Sequence, residues 1–205
     1  MKLYFSPGAC SLSPNIVARE LGIPLELVKV DLKAKLYGDG QDFRKVNAKG
    51  YVPALELDDG RVLTEGPAIV QYLADLKPEA GLVPGWGTFE RYRLLEKLNF
   101  VTSELHKSIG SLFNAAMPAE WQQATRDRIK DRLGQLESDI GDAPYLMGER
   151  FSVVDAYCYT VLNWLRAFKM ELAPWPKLAR YMERLRERES VRTAMAAEKG
   201  EGGKA

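Results

Sequence analysis

The sequence predicts a two-part fold: an α/β domain over residues 1–78, a linker over residues 79–87, and an all-α domain over residues 88–205. Three observations carry that expectation. The first part alternates short apolar runs with Gly, Pro and Asp-Gly turn signals, the pattern of brief strands and helices. Lys77 to Gly87 then gathers Pro78, Gly81, Pro84, Gly85 and Gly87. Beyond it the apolar residues recur at helical spacing and no strand pattern returns.

In chain order, Leu3-Tyr4-Phe5 reads as a strand, Ser6-Pro7-Gly8 as a turn, and the run through Asn15 to Leu21 as a helix stopped by Gly22. Ile23-Pro24 breaks the chain, and Leu25 to Asp31 reads as a second strand. Leu32 to Lys49 is rich in Lys, Gly and Asp, and is expected to be a loop with a short helix around Asp42 to Val46. Gly50 to Leu57 reads as a third strand, Asp59-Gly60 as a hairpin turn, and Arg61 to Thr64 as the returning strand. The helix that follows has Pro67 in its first turn, where a missing N–H costs nothing. The order β-α-β-α-β-β-α is that of a thioredoxin-like domain. In that order Val52-Pro53 is expected to be a cis bond, in a turn that offers the backbone N–H and C=O of Val52 to an extended ligand.

In the second part, Leu94, Leu98, Val101, Leu105, Ile109 and Leu112 form one apolar stripe along Arg91 to Phe113. Asn99, Ser103, His106 and Gly110 form a second, offset stripe. Ser152 and Asp155 have the spacing of a capping box, at the start of an apolar helix in which Cys158 is expected to be core. Tyr157, Trp164 and Phe168 are expected to pack there too, with Trp164 a candidate border of a substrate pocket. The polar, Gly-rich tail from Glu198 to Ala205 is expected to fray.

Cys10 stands out chemically. A cysteine at a strand–turn–helix junction lies near the positive end of a helix dipole, which favours thiolate over thiol. In Cys10-Ser11-Leu12-Ser13, serine stands where a dithiol oxidoreductase has its second cysteine. Redox chemistry would therefore pair one protein thiol with a thiol from outside.

Composition removes several alternatives. Lys and Arg number 29 against 28 Asp and Glu, so no charge excess argues for nucleic acid or an anionic membrane. Two distant cysteines and one histidine fit no zinc spacing, and no metal is expected. The opening residues carry no secretory pattern and no apolar run is long enough to span a bilayer, so a cytoplasmic setting is expected.

Taken together, these motifs resemble the glutathione S-transferase family. Val52-Pro53-Ala54-Leu55 matches its Val-Pro-x-Leu, and Thr64-Glu65-Gly66-Pro67-Ala68-Ile69 matches its Glu-Ser-x-Ala-Ile, with glycine in place of serine. Tyr4 to Pro14, with Cys10 followed by Ser11, is similar to the bacterial beta class. The resemblance implies the glutathione transferase fold: a thioredoxin-like N-terminal domain, then an all-helical C-terminal domain carrying the second-substrate side of a pocket between them. It implies a homodimer, glutathione as co-substrate, and a small hydrophobic electrophile.

The site residues follow by the same resemblance. Cys10 and His106 are the catalytic candidates. Lys35, Tyr51, Val52, Pro53, Glu65 and Gly66 are the candidates for binding glutathione. Glu65 suits the γ-glutamyl ammonium, the Gly66 N–H at a helix start suits the γ-glutamyl carboxylate, and Lys35 suits the glycyl carboxylate. Asn99, Ser103, Glu104 and Lys107 are lesser candidates that can reach across a dimer. Cys10 has two roles open: a mixed disulfide with glutathione, with thiol-disulfide transferase or peroxidase side activity, or hydrogen bonding to glutathione's thiolate during conjugation. The rival readings are a non-catalytic ligand- or protein-binding member of the fold and a dedicated glutathione-dependent reductase or dehalogenase.

Overall fold

The computed structural model describes residues 1–200. They form two compact units, Met1–Gly81 together with the segment from Arg188 on, and Leu82–Glu187.

The first unit is built on a six-stranded sheet of order β4-β3-β2-β1-β5-β6. The strands are β1 (Lys2–Phe5), β2 (Glu26–Asp31), β3 (Leu36–Tyr37), β4 (Gln41–Asp42), β5 (Ala54–Glu56) and β6 (Val62–Thr64). β1 and β2 pair in parallel around a crossover helix, and every other pairing is antiparallel. The central strand is the most apolar: Leu3, Tyr4 and Phe5 are buried. Tyr4, Val30, Phe43, Val52 and Ala54 make one apolar cluster. The Tyr4 ring meets Tyr37 edge-on at 5.2 Å and Phe43 at 5.4 Å. Helices α1 (Leu12–Glu20) and α2 (Gly66–Asp75) pack on each other.

Three details differ from the sequence reading. β3 and β4 are two-residue strands inside the stretch expected to be a loop; turns at Gly38 and Gly40, both at positive φ, let them pair. The third long strand begins only at Ala54, because a cis Val52-Pro53 bond occupies the residues before it. The short helix is one 3₁₀ turn, Phe43–Lys45, capped by Asp42. The domain boundary also falls elsewhere: α8 (Glu189–Lys199) belongs with the sheet unit rather than with the helical residues 88–187. It lies along α1, where Asn15 Nδ2 donates to the Ala194 carbonyl at 3.4 Å. Arg188 and Ser190 both hold the Glu20 carboxylate. Glu198 and Lys199, expected to fray, are helical, and Glu198 is buried; residues 201–205 lie outside the described residues.

The second unit is helical: α3 (Phe89–Phe100), a π-turn (Val101–His106), α4 (Lys107–Ser111), α5 (Ala119–Ile140), α6 (Val153–Asn163), a 3₁₀ turn (Trp164–Phe168) and α7 (Pro176–Glu187). The apolar stripe is its core, with Leu94, Leu98, Val101, Leu105 and Ile109 buried and Leu112 at the margin. α6 is buried from Val153 through Leu162, Cys158 included. A helix buried on all sides has no solvent to satisfy its first N–H groups, so its cap matters most. The capping box is present. Asp155 Oδ2 accepts from the Ser152 N–H and the Ser152 hydroxyl, both at 2.8 Å, while Oδ1 accepts from the Leu146 N–H and the Tyr181 hydroxyl, both at 2.9 Å.

Candidate functional site

In the sheet unit, the turn after β1 brings Cys10 to the start of α1. The Ala9 N–H closes the turn on the Ser6 carbonyl, and the Ser6 N–H donates to Ser11 Oγ at 3.2 Å. Gly8 takes φ +73°, open to glycine without strain. Its N–H reaches across to Glu198 Oε2 of α8 at 2.9 Å. Ser13 spends its hydroxyl on the carbonyl of Cys10 itself, at 2.8 Å.

The cis Val52-Pro53 turn lies against this junction. Cys10 Sγ donates to the Val52 carbonyl oxygen at 3.1 Å, so one of the two backbone groups expected to be offered to a ligand is held by the thiol. The electrostatics also reverse an expectation. Burial pushes the Cys10 thiol up to about 12, against the opposing pull of its own and the Ser11 N–H groups, and Glu65 and Glu198 push it further up. A helix start contributes about 0.3–1 kcal/mol, too little to offset burial of a charge beside two carboxylates. Burial in this setting favours the thiol of Cys10 over its thiolate.

The remaining candidates of this unit surround the turn that carries Pro53. Tyr51 is 67% exposed, and its carbonyl accepts from Asn47 Nδ2 at 2.7 Å. Lys35, at φ +61°, sends Nζ to the Gly50 carbonyl at 2.9 Å and over the Tyr51 ring at 5.4 Å from its centroid. Glu65 stands at the N-cap of α2 with φ +71°, a conformation costing a non-glycine residue about 1–3 kcal/mol. Such strain is retained where a side chain has to be aimed, and the Glu65 carboxylate pairs with Lys49 Nζ at 2.6 Å. The Ala68 and Ile69 N–H groups bond to the Glu65 carbonyl. The Gly66 N–H opens α2, among the donors that helix geometry leaves without an intrahelical acceptor. Cys10, the Val52-Pro53 turn, Glu65 and Gly66 thus belong to one unit, as do Lys35 and Tyr51.

In the helical unit, His106 closes the π-turn, in which the Lys107 N–H reaches back five residues to the Thr102 carbonyl. The extra residue interrupts the regular helical stripe just at His106. His106 Nδ1 is 2.6 Å from the Tyr157 hydroxyl, and its ring meets Trp164 edge-on at 4.8 Å. Phe113 meets Trp164 and Phe168 edge-on, so His106 borders an aromatic cluster. The Tyr157 contact escaped the sequence reading, which placed Tyr157 among packing residues; nothing in its spacing ties it to a histidine 51 residues away.

Asn99 and Ser103 are exposed, and each donates to a carbonyl four residues back, at 2.9 Å. Glu104 pairs with Arg132 of α5 at 2.5 Å, and Lys107 is exposed. Among the described residues no cluster of His, Cys, Asp and Glu could hold a metal, and no helix is long and apolar enough to cross a membrane.

Residues 8–76 match the family model for the glutathione S-transferase N-terminal domain, and residues 100–189 match that for the C-terminal domain. The chain is 42% identical to glutathione S-transferase GstA of Escherichia coli O157:H7, over 97% of this chain and 98% of that protein. Among solved structures, the bacterial beta class glutathione S-transferase of Sphingomonas chungbukensis is 44% identical with a TM-score of 0.93, covering 97% of this chain and 98% of that one. A sphingomonad glutathione S-transferase complexed with glutathione is 43% identical with a TM-score of 0.93, covering 97% of this chain and 99% of that one. The motifs around Cys10, Pro53 and Glu65, the two kinds of unit and these likenesses lead to one conclusion: the chain belongs to the glutathione S-transferase family.

Proposed function

We propose that this chain binds glutathione on its sheet unit and conjugates it to a small apolar electrophile, with Cys10 acting as a hydrogen-bond donor to the glutathione sulfur. The observation that carries this reading is the hydrogen bond from Cys10 Sγ to the Val52 carbonyl beside the cis turn, in a setting where burial favours the thiol. The solved relative complexed with glutathione supports the choice of ligand. In the proposed pose, the γ-glutamyl carboxylate takes the Gly66 N–H at the start of α2, where the helix end favours an anion. The γ-glutamyl ammonium exchanges with Lys49 on the Glu65 carboxylate. The cysteinyl backbone runs beside Val52, and the glycyl carboxylate meets Lys35, with Tyr51 alongside.

The chemistry then needs no protein nucleophile. Glutathione's thiol loses its proton to water, and its thiolate accepts the Cys10 S–H. The sulfur attacks the electrophilic carbon, a C–S bond forms, and the leaving group departs with its electron pair. His106, with Nδ1 tied to Tyr157 beside Trp164 and Phe113, is proposed to act on the co-substrate, and the aromatic side chains suit an apolar one. Asn99, Ser103, Glu104 and Lys107 stay in the proposal as lesser contacts. A homodimer and a cytoplasmic setting are included on the strength of the family alone.

The second reading, a Cys10–glutathione mixed disulfide, requires Cys10 as thiolate. Burial pushes the Cys10 thiol up, which disfavours that step. Calorimetric titration with glutathione, followed by mass detection of a thioether formed with an activated aryl halide, tests the proposal. Saturable binding with a thioether product is expected; binding without product, or no binding, would overturn it.

A further inference from the structure

Asn47 has no part in the reading above, yet it is only 6% exposed and each of its polar atoms is hydrogen-bonded. Its N–H donates to the carbonyl of Phe43 at 2.9 Å, which ties it to the apolar cluster where Phe43 is buried. Its other groups all serve the loop that runs into the cis Val52-Pro53 bond. The Asn47 carbonyl accepts the Gly50 N–H at 2.7 Å, and Oδ1 accepts the Lys49 N–H at 3.2 Å. Nδ2 donates to the Tyr51 carbonyl at 2.7 Å. Residues 47–53 belong to no helix or strand, so no ladder supplies these bonds and the Asn47 side chain stands in for one. The loop it shapes carries much of the candidate site. Lys49 Nζ pairs with the Glu65 carboxylate at 2.6 Å, and Lys35 Nζ rests on the Gly50 carbonyl at 2.9 Å, over the Tyr51 ring.

We propose that Asn47 is a positioning residue for glutathione, its buried amide fixing the loop in the shape that aims Tyr51 and Lys35 at the glycyl end of the peptide. This inference rests on the pose proposed above. The two ends of the side chain act on different parts of that pose. Oδ1 holds the backbone of Lys49 beside Glu65, on the γ-glutamyl side. Nδ2 holds the Tyr51 carbonyl, and with it the seat of Lys35, on the glycyl side. A loop ordered before its ligand arrives binds more tightly, because association then carries no cost of ordering it. Asn47 touches no reacting atom in this pose, so its loss should change affinity and spare the chemical step.

The experiment titrates the intact protein calorimetrically with two peptides, glutathione and γ-glutamylcysteine, which lacks the glycine. Asn47→Ala removes both ends of the side chain. Asn47→Ser keeps a hydroxyl that can accept the Lys49 N–H but cannot span to the Tyr51 carbonyl. In Asn47→Ser the dissociation constant for glutathione should rise about 3- to 10-fold, while that for γ-glutamylcysteine changes by less than about twofold. Its kcat with an activated aryl halide, at saturating glutathione, should stay within about twofold of the parent. Asn47→Ala should weaken both peptides, glutathione the more. A residue that only supported the fold would lower the number of binding-competent molecules and leave the ratio of the two constants unchanged. An unchanged ratio, or an unchanged constant for glutathione, would therefore overturn the proposal. A parent that binds neither peptide would overturn the glutathione reading itself. If neither variant folds, the Asn47 side-chain amide resonance of the parent decides. It should shift on adding glutathione and less with γ-glutamylcysteine; equal shifts would overturn the proposal.

Discussion

Cys10 Sγ lies 3.1 Å from the carbonyl oxygen of Val52, the residue joined to Pro53 by a cis bond. The thiol proton therefore already sits in a hydrogen bond aimed along the edge where an extended ligand would lie. If Cys10 serves as a donor, a hydroxyl can replace it. Cys10→Ser should keep more conjugating activity than Cys10→Ala, by about two- to tenfold in kcat, the equivalent of one hydrogen bond at about 0.5–1.5 kcal/mol. Equal and complete loss in both variants would instead make Cys10 the nucleophile.

Glu65 pairs with Lys49 and is held at positive φ. Glu65→Ala should raise the dissociation constant for glutathione about 10- to 100-fold, since a hydrogen bond to a charged group contributes about 1.5–3 kcal/mol. Calorimetric titration of parent and variant checks this, and an unchanged constant would remove Glu65 from the binding site.

The Tyr157 hydroxyl is buried and faces His106 Nδ1 at 2.6 Å. Truncating His106 removes that hydrogen bond, so His106→Ala should lose about 0.5–1.5 kcal/mol of stability as well as turnover. Tyr157→Phe, which removes the hydroxyl and its need together, should be milder in stability but should still lower kcat by freeing the His106 ring. Urea unfolding beside steady-state kinetics separates the two effects. A Tyr157→Phe variant with parental kcat would show that the contact is packing alone.

Asp155 gathers the Ser152 cap, the Leu146 N–H and the Tyr181 hydroxyl at the start of a buried helix. Asp155→Ala strands all of these donors and should cost about 3 kcal/mol or more in urea unfolding. Activity per folded molecule should be unchanged. Ser152→Ala should cost less, about 0.5–2 kcal/mol, because the Asp155 carboxylate keeps its other donors.

What the sequence made legible was local chemistry. Asp59-Gly60, the Ser152–Asp155 spacing, and Pro53 in its setting each fix backbone geometry within a few residues, so pattern alone located them. Four features lay outside that reach. The two-residue strands β3 and β4 exist because turns at Gly38 and Gly40 bring them together, with no alternation long enough to read. The π-turn at Val101–His106 adds one residue to an otherwise helical stripe. The packing of α8 on α1 is tertiary, and it turns Glu198 from a tail residue into a buried acid. The electrostatic setting of Cys10 is tertiary too: the sequence shows the helix start, whereas burial and the carboxylates of Glu65 and Glu198, which push the thiol up, emerge only on folding.

The account stands most directly on Cys10 being a thiol at neutral pH, and one rate tests it. The protein is treated with oxidised glutathione, and formation of a mixed disulfide on the Cys10 peptide is followed by mass at pH 8 and pH 9. A thiol pushed far above its usual range ionises tenfold more with each pH unit, so the rate should rise about tenfold between the two. Equal rates at pH 8 and pH 9 would mean that Cys10 is already a thiolate, and would contradict the donor role.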